Sequence, residues 1–345
     1  MLPTNLLTFL TVSGPSLGAN DFAVGHANSP VVTVFDFGVT GFGTKYADPA
    51  TLPPDGGYGV RFSPDGNNLG VTSFASPRIQ VYPWSRGFGT KFADPATLPN
   101  GDGVNLNFKP NSDAIVVTHG SSPFVTAYPW SGSGFGTKYA NPATLPGGLC
   151  RGVSWSSDGT HIAVASQNSP LILAYAWSSG WGTKFADPAT LPVGTSNDVN
   201  FRTGNDTLAV SHSSSPRVTA YPWSGSGFGT KYANPASLPG DNSGTGVAFS
   251  PNGNHIIVST ASNHSPSAYP WSAGFGTKYA DPASATVYGM SVSWLATGND
   301  VGFGTKFGTK AAAYTFSSGL GTKYANPPST PSGNGASGQF SKAFS

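Results

Sequence analysis

The chain contains no glutamate: all 15 of its acidic residues are aspartate, and glutamine is confined to Gln80, Gln167 and Gln339. With strong helix formers this scarce and Val, Thr, Phe, Tyr and Trp plentiful, an all-β chain is predicted. Charge of either sign is thin, 9% of residues against roughly 25% in an average soluble domain. The formal net charge is only +2. A surface without a basic stripe cannot neutralise a phosphate backbone, so no nucleic-acid partner is expected. No apolar run approaches the roughly 18 to 20 residues needed to span a bilayer, so no membrane insertion is expected. Cys150 is the sole cysteine, which excludes an internal disulfide framework and any cysteine-built zinc cluster. Within Gly148-Leu149-Cys150-Arg151 it has no catalytic context and reads as a small loop or core residue. The short apolar stretch from Leu6 to Val12 has no Lys or Arg before it and reads as a first strand, not a secretory signal.

What the chain has in abundance is repetition. The pattern Gly-aromatic-Gly-Thr-Lys recurs with its lysines at Lys45, Lys91, Lys138, Lys184, Lys231, Lys278 and Lys323, Leu320 replacing the aromatic in the last copy. A period of roughly 40 to 50 residues is the span of one four-stranded propeller blade, so these seven in-phase copies predict seven blades in a single domain over 1–345, the extra Gly302-Phe-Gly-Thr-Lys306 falling out of phase within the seventh. The 46 Gly and 30 Pro recur at fixed repeat positions, where they punctuate strands, and 38% hydrophobic residues supply a core.

Residues 58 to 99 give a complete unit. Alternating apolar positions mark the first strand, whose anchoring aromatics are Phe62, Phe108, Trp155, Phe201, Phe249 and Trp294. A tight turn such as Pro64-Asp65-Gly66 leads to a second strand, and Ser-Pro, from Ser29-Pro30 to Ser265-Pro266, introduces the third. That third strand ends on Tyr-Pro-Trp-Ser at Trp84, Trp130, Trp223 and Trp271, with Trp177 in a variant copy. The fourth strand is the Gly-Thr-Lys stretch, announced by Phe88, Phe135, Trp181, Phe228 or Phe275. Its lysines, among them Lys91, Lys138, Lys184, Lys231 and Lys278, are expected to blunt an exposed sheet edge.

The Phe-Ser-Pro-Asp-Gly at 62–66, its counterpart at 249–253 and the Trp closing each third strand resemble the WD40 family. The resemblance covers nearly the whole chain and implies its antiparallel propeller fold. Ser-Pro replaces the aspartate that WD40 repeats carry before their third strand, so the family's buried Asp-His-Ser-Trp network is not expected. Gly338-Gln339-Phe340-Ser341 reads as a first strand, and a C-terminal strand over about 335–345 is expected to pair into the N-terminal blade behind an arm at 1–19. The rival is Leu6 to Leu10 filling that slot.

Catalytic chemistry finds little purchase at this level. The aspartates fall mostly in Asp-Pro and Asp-Gly turns, where Asn141, Asn234 and Asn326 also occur, so turn capping explains them better than calcium. His26, His119 and His212 share one repeat position ahead of the Ser-Pro turns and alternate around the ring with Ser73, Ser166 and Thr260. The candidate binding face is therefore the side carrying these turns, represented by His26, Phe74, His119, Gln167, His212 and His264. No catalytic residue, metal or cofactor is expected. Near-identical blades with a neutral surface, and a repeat similar to those of propeller-like proteins of tailed bacteriophages, imply a non-enzymatic virion component. It would decorate capsid or tail and contact other virion proteins, with a host-surface glycan as a further partner. The alternatives are a secreted lectin-like propeller and a protein-interaction scaffold.

Overall fold

The computed structural model describes residues 20–56, 58–262, 266–284 and 288–341. The expected N-terminal arm with its Leu6–Leu10 strand, and His264, lie outside these residues. Seven antiparallel sheets follow one another around an axis. Blade 1 sets Gly335–Phe340 beside Asn20–His26, then Val32–Gly38 and Gly41–Lys45. Blade 4 is Cys150–Trp155, His161–Ser166, Ile172–Trp177 and Trp181–Lys184, and blade 5 is Ser196–Phe201, Thr207–His212, Val218–Ser224 and Gly227–Phe228. Blade 7 is Ser293–Trp294, Asp300–Gly304, Ala311–Phe316 and Leu320–Lys323.

Three blades stop at three strands: Val60–Phe62, Asn68–Thr72 and Ile79–Pro83 in blade 2; Gly103–Phe108, Ala114–His119 and Val125–Pro129 in blade 3; Gly244–Phe249, His255–Thr260 and Ser267–Pro270 in blade 6. There the expected fourth strand shrinks to one bridge, Trp84 to Phe88, Trp130 to Phe135 and Trp271 to Phe275. Proline shortens the outer strand, and blade 5, with Pro222 at the same place, keeps only the two residues Gly227–Phe228. The carbonyls of Pro83, Pro129 and Pro270 still accept from the following Gly-Thr-Lys segment, but a proline nitrogen cannot donate back. Where Asp36, Ala176 or Thr315 holds the position, four or five residues pair as a strand.

The third-strand aromatic is the hub between neighbouring blades. Trp130 packs edge-to-face on Phe108 of its first strand, Phe135 of its outer segment and Phe92 of the preceding blade, with centroids 5.9, 5.0 and 5.2 Å away. The same set recurs on Trp84, Trp177, Trp223 and Trp271. Phe37 and Phe316 take the hub position in blades 1 and 7. Such pairs contribute about 0.5–1.5 kcal/mol each beyond their buried area.

A second tie repeats beside it. The buried tyrosine near the end of each third strand donates to a backbone carbonyl in the loop that follows the preceding blade: Tyr82 to Thr51 at 2.8 Å, Tyr128 to Thr97 at 2.7 Å, Tyr175 to Thr144 at 2.9 Å and Tyr221 to Thr190 at 2.7 Å. Tyr269 and Tyr314 do the same to Ser237 and Ser284. These tyrosines thus join blades as well as filling the core. Ring closure follows the C-terminal route: Gly338, Gln339 and Phe340 pair antiparallel with Val24, Ala23 and Phe22. Phe340 thereby occupies in blade 1 the place Phe62 holds in blade 2.

Candidate functional site

Each first strand runs along the axis and presents its penultimate side chain to a central cavity of about 130 Å³. Seven residues share that height, Arg61, Asn107, Ser154, Asn200, Ala248, Ser293 and Gln339, one from each blade. Most of them solve a local problem. An innermost strand leaves its axial N–H groups without a ladder partner, and side chains of the preceding blade accept from them. Phe62 N donates to Gln339 Oε1 at 2.8 Å, Phe201 N to Ser154 Oγ at 3.1 Å, Phe249 N to Asn200 Oδ1 at 2.9 Å and Phe340 N to Ser293 Oγ at 3.3 Å.

Arg61 breaks this pattern, since a guanidinium has no lone pair to offer. Its Nε is buried without a hydrogen-bond partner, and burial pulls its pKa down while the charge of Asp198 raises it. Asp198 lies deeper on the blade 5 inner strand and lines the same cavity. Its carboxylate accepts from Val199 N at 2.9 Å and Val247 N at 3.2 Å. Burial nevertheless dominates and pushes its pKa up to about 6, against the lowering effects of Arg61 and those two amides. The Cα of Asp198 sits where a Cβ on Gly152 would come within 2.6 Å, so only glycine at 152 lets the two strands approach this closely.

The other arginines set these features in relief. Arg78 pairs with Asp102 at 3.4 Å, Arg202 with Asp206 at 2.5 Å and Arg86 with Asp36, while Arg217 donates to the Asp241 carbonyl at 2.8 Å. Among the described residues, Arg61, Arg151 and Arg217 make no ion pair, and the first two belong to first strands.

The expected binding face is corrected in part. His26, His119 and His212 are fully buried, each sharing a hydrogen bond with the threonine seven residues on: Thr33 at 3.0 Å, Thr126 at 2.9 Å and Thr219 at 2.9 Å. They are cross-strand struts, not ligand contacts, and no three His, Cys, Asp or Glu among the described residues could hold a metal ion together. Burial lowers all three pKa values to about 4. Below the ordinary value of 6.5 the unfolded chain takes up protons that the native histidines refuse, so stability falls as pH drops from about 6.5 to about 4. Urea titrations over that window are expected to show a shallower pH slope in a triple His→Gln variant; an unchanged slope would refute this account. Phe74 and Gln167 do lie at the turn-bearing end of the ring. Cys150 is buried and its thiol pushed up, consistent with an inert core residue.

The lysines also do more than guard an edge. Lys184 reaches Asp187 at 2.5 Å and Lys278 reaches Asp281 at 2.6 Å, while Lys138 donates to Asn141 at 2.5 Å and Lys231 to Asn234 at 2.6 Å. Lys45 and Lys91 hold Asp48 and Asp94 in the same way. Aspartate and asparagine are interchangeable in the slot because either side-chain oxygen accepts from the lysine.

No protein-family model matches the sequence, and no curated protein does. Solved structures do. A Bacteroides fragilis protein provisionally named a 6-phosphogluconolactonase superposes with a TM-score of 0.75 at 13% identity, covering 95% of this chain and 99% of its own. The periplasmic gluconolactonase of Pseudomonas aeruginosa gives 0.72 at 13%, covering 94% and 99%. A Lactobacillus plantarum protein gives 0.74 at 12%, covering 93% and 99%. At that identity the likeness establishes the seven-bladed propeller fold. It also overturns the expectation of a non-enzymatic virion component, because the neighbours whose names state a role carry gluconolactonase or provisional 6-phosphogluconolactonase names; neither the phage resemblance nor the lectin and scaffold alternatives gain support. The premise behind that expectation fails in the structure as well: the blades are alike in their cores and unlike at the axis.

Proposed function

We propose that the protein opens a small cyclic ester, a sugar-acid lactone, in the axial cavity. The observation that carries this reading is the juxtaposition of Arg61, a cation without an ion-pair partner, and Asp198, a carboxylate with its pKa raised to about 6, in one cavity lined by amides and hydroxyls. The lactonase names of the fold neighbours support this reaction class. The cavity is small beside the roughly 300–1,000 Å³ of sites for drug-sized ligands, which favours a single ring over a polymer. Asn107, Asn200 and Gln339 offer donors and acceptors for ring hydroxyls.

In this mechanism Asp198, ionised at neutral pH, takes a proton from a water as its oxygen attacks the lactone carbonyl carbon. The carbonyl oxygen gains the negative charge of the tetrahedral intermediate, which the Arg61 guanidinium stabilises. Collapse of the intermediate breaks the ring C–O bond, and Asp198 returns the proton to the departing ring oxygen. The product is a hydroxy acid that ionises and releases one proton to solvent. Titration of acid released from glucono-δ-lactone and from its 6-phosphate tests the reading: opening above the spontaneous rate, in proportion to protein, is expected. A rate equal to the spontaneous one for both substrates would end it.

A further inference from the structure

We infer a second ligand site at the opposite, turn-bearing mouth of the channel, built on Arg151 and suited to a small carboxylate that carries a flat ring. Arg151 is the extra residue of the bulge where Cys150 and Gly152 pair with consecutive residues of the next strand. The guanidinium is half-buried and its pKa is lowered by desolvation, with the hydroxyl of Tyr58 acting weakly in the other direction. No carboxylate among the described residues pairs with it, in contrast to Arg78 and its Asp102 on the same face.

Arg151 is nevertheless held in place. With its amide turned so that oxygen faces the guanidinium, Gln167 accepts from Nε at 2.5 Å and from Nη2 at 2.9 Å. Gln167 is itself anchored, its backbone N donating to the Leu149 carbonyl at 2.9 Å. One edge of the fork is thus occupied by a neutral acceptor, and the remaining nitrogen is left for an oxyanion. A desolvated cation fixed by a neutral group is costly unless an anion completes it.

Within electrostatic reach of it stands an aromatic pair. Tyr58 and Phe74 stack with centroids 4.4 Å apart and planes tilted by 34°. Tyr58 keeps 37% of its surface exposed, so the ring can receive a second ring against it. A positioned cation within electrostatic reach of a rigid aromatic face matches a ring carboxylate: the carboxylate takes the free edge of Arg151 and the ring lies on Tyr58. None of these residues lines the cavity that holds Arg61 and Asp198.

Equilibrium dialysis of the full chain with benzoate, acetate and benzyl alcohol tests the site. Benzoate is expected to bind in the millimolar range or tighter, and acetate and benzyl alcohol each more weakly. Arg151→Met is expected to weaken benzoate by about tenfold or more, the loss of one charge-assisted contact. Tyr58→Ala is expected to erase the preference for benzoate over acetate, while Arg61→Met and Asp198→Asn leave benzoate binding unchanged. These last variants separate the site from the lactone reading, which can fail without touching it. Because Arg151 lacks an ion-pair partner, Arg151→Met is also expected to unfold at the same urea concentration as the parent or a higher one. Benzoate binding that survives Arg151→Met, is lost in Arg61→Met, or is absent from the parent overturns the proposal, as does clear destabilisation by Arg151→Met, which would mark a structural role.

Discussion

Asp198→Asn is expected to lower the rate of lactone opening by about two to four orders of magnitude, the range typical of removing a general base. Asparagine keeps the shape, but its single side-chain oxygen replaces only one of the two carboxylate oxygens that accept from Val199 N and Val247 N, so one of these amides loses its partner. What it cannot do is take a proton from water. The pH profile supplies a second reading. Because burial raises the Asp198 pKa to about 6, the base is protonated and inactive below that value and ionised above it, so the rate is expected to climb through about pH 6 and then level. The profile should move to lower pH in Gly152→Ala only if the strands separate enough to admit water beside Asp198. Proton release measured from pH 5 upwards decides the matter: a flat profile in the parent, or an unimpaired Asp198→Asn variant, would remove Asp198 from the mechanism.

The second large effect concerns closure. Phe340→Ala is expected to cost about 3–5 kcal/mol in urea unfolding, as for other large aromatics truncated in a packed core. Phe340 has no exposed surface and meets Phe22 at 4.9 Å and Phe37 at 4.8 Å, both edge-to-face. The pocket cannot collapse readily onto the void, because Phe22 already lies 2.3 Å from where a Cβ on Gly302 would stand and the two blades are pressed together there. Phe62→Ala, at the equivalent place in blade 2, removes similar contacts while leaving its strand covalently enclosed by its neighbours. A loss for Phe340 below about 1 kcal/mol would mean that the terminal strand is dispensable, contrary to the core burial argument.

The architecture was legible because every blade writes the same aromatic and glycine positions, and the closing strand because Gly338-Gln339-Phe340 repeats the end of the other first strands. The shortening of the outer strands was readable too, from proline at 83, 129, 222 and 270 against Ala176, Asp36 and Thr315. The axial site was not. Arg61 occupies a column with Asn107, Ser154 and Gln339 in which the residue type changes at every repeat, and such variation looks like drift until the column closes into a ring and its side chains face one cavity. The histidines misled for the opposite reason: their regular spacing suggested a shared surface, whereas the threonine seven residues after His26, His119 and His212 was the overlooked signal of a buried pair. Composition described the exterior fairly. It had no means of weighing two charged side chains that face inward.

The lysine-held loops on the outer rim carry an implication for how such a chain can diversify. Four of them close on aspartate and two on asparagine with the same partner atom and nearly the same reach. Each exchange between the two alters the net charge by one without disturbing the loop. The isoelectric point can therefore wander across lineages, matching different acidities or salinities, while the geometry around the axis stays as it is.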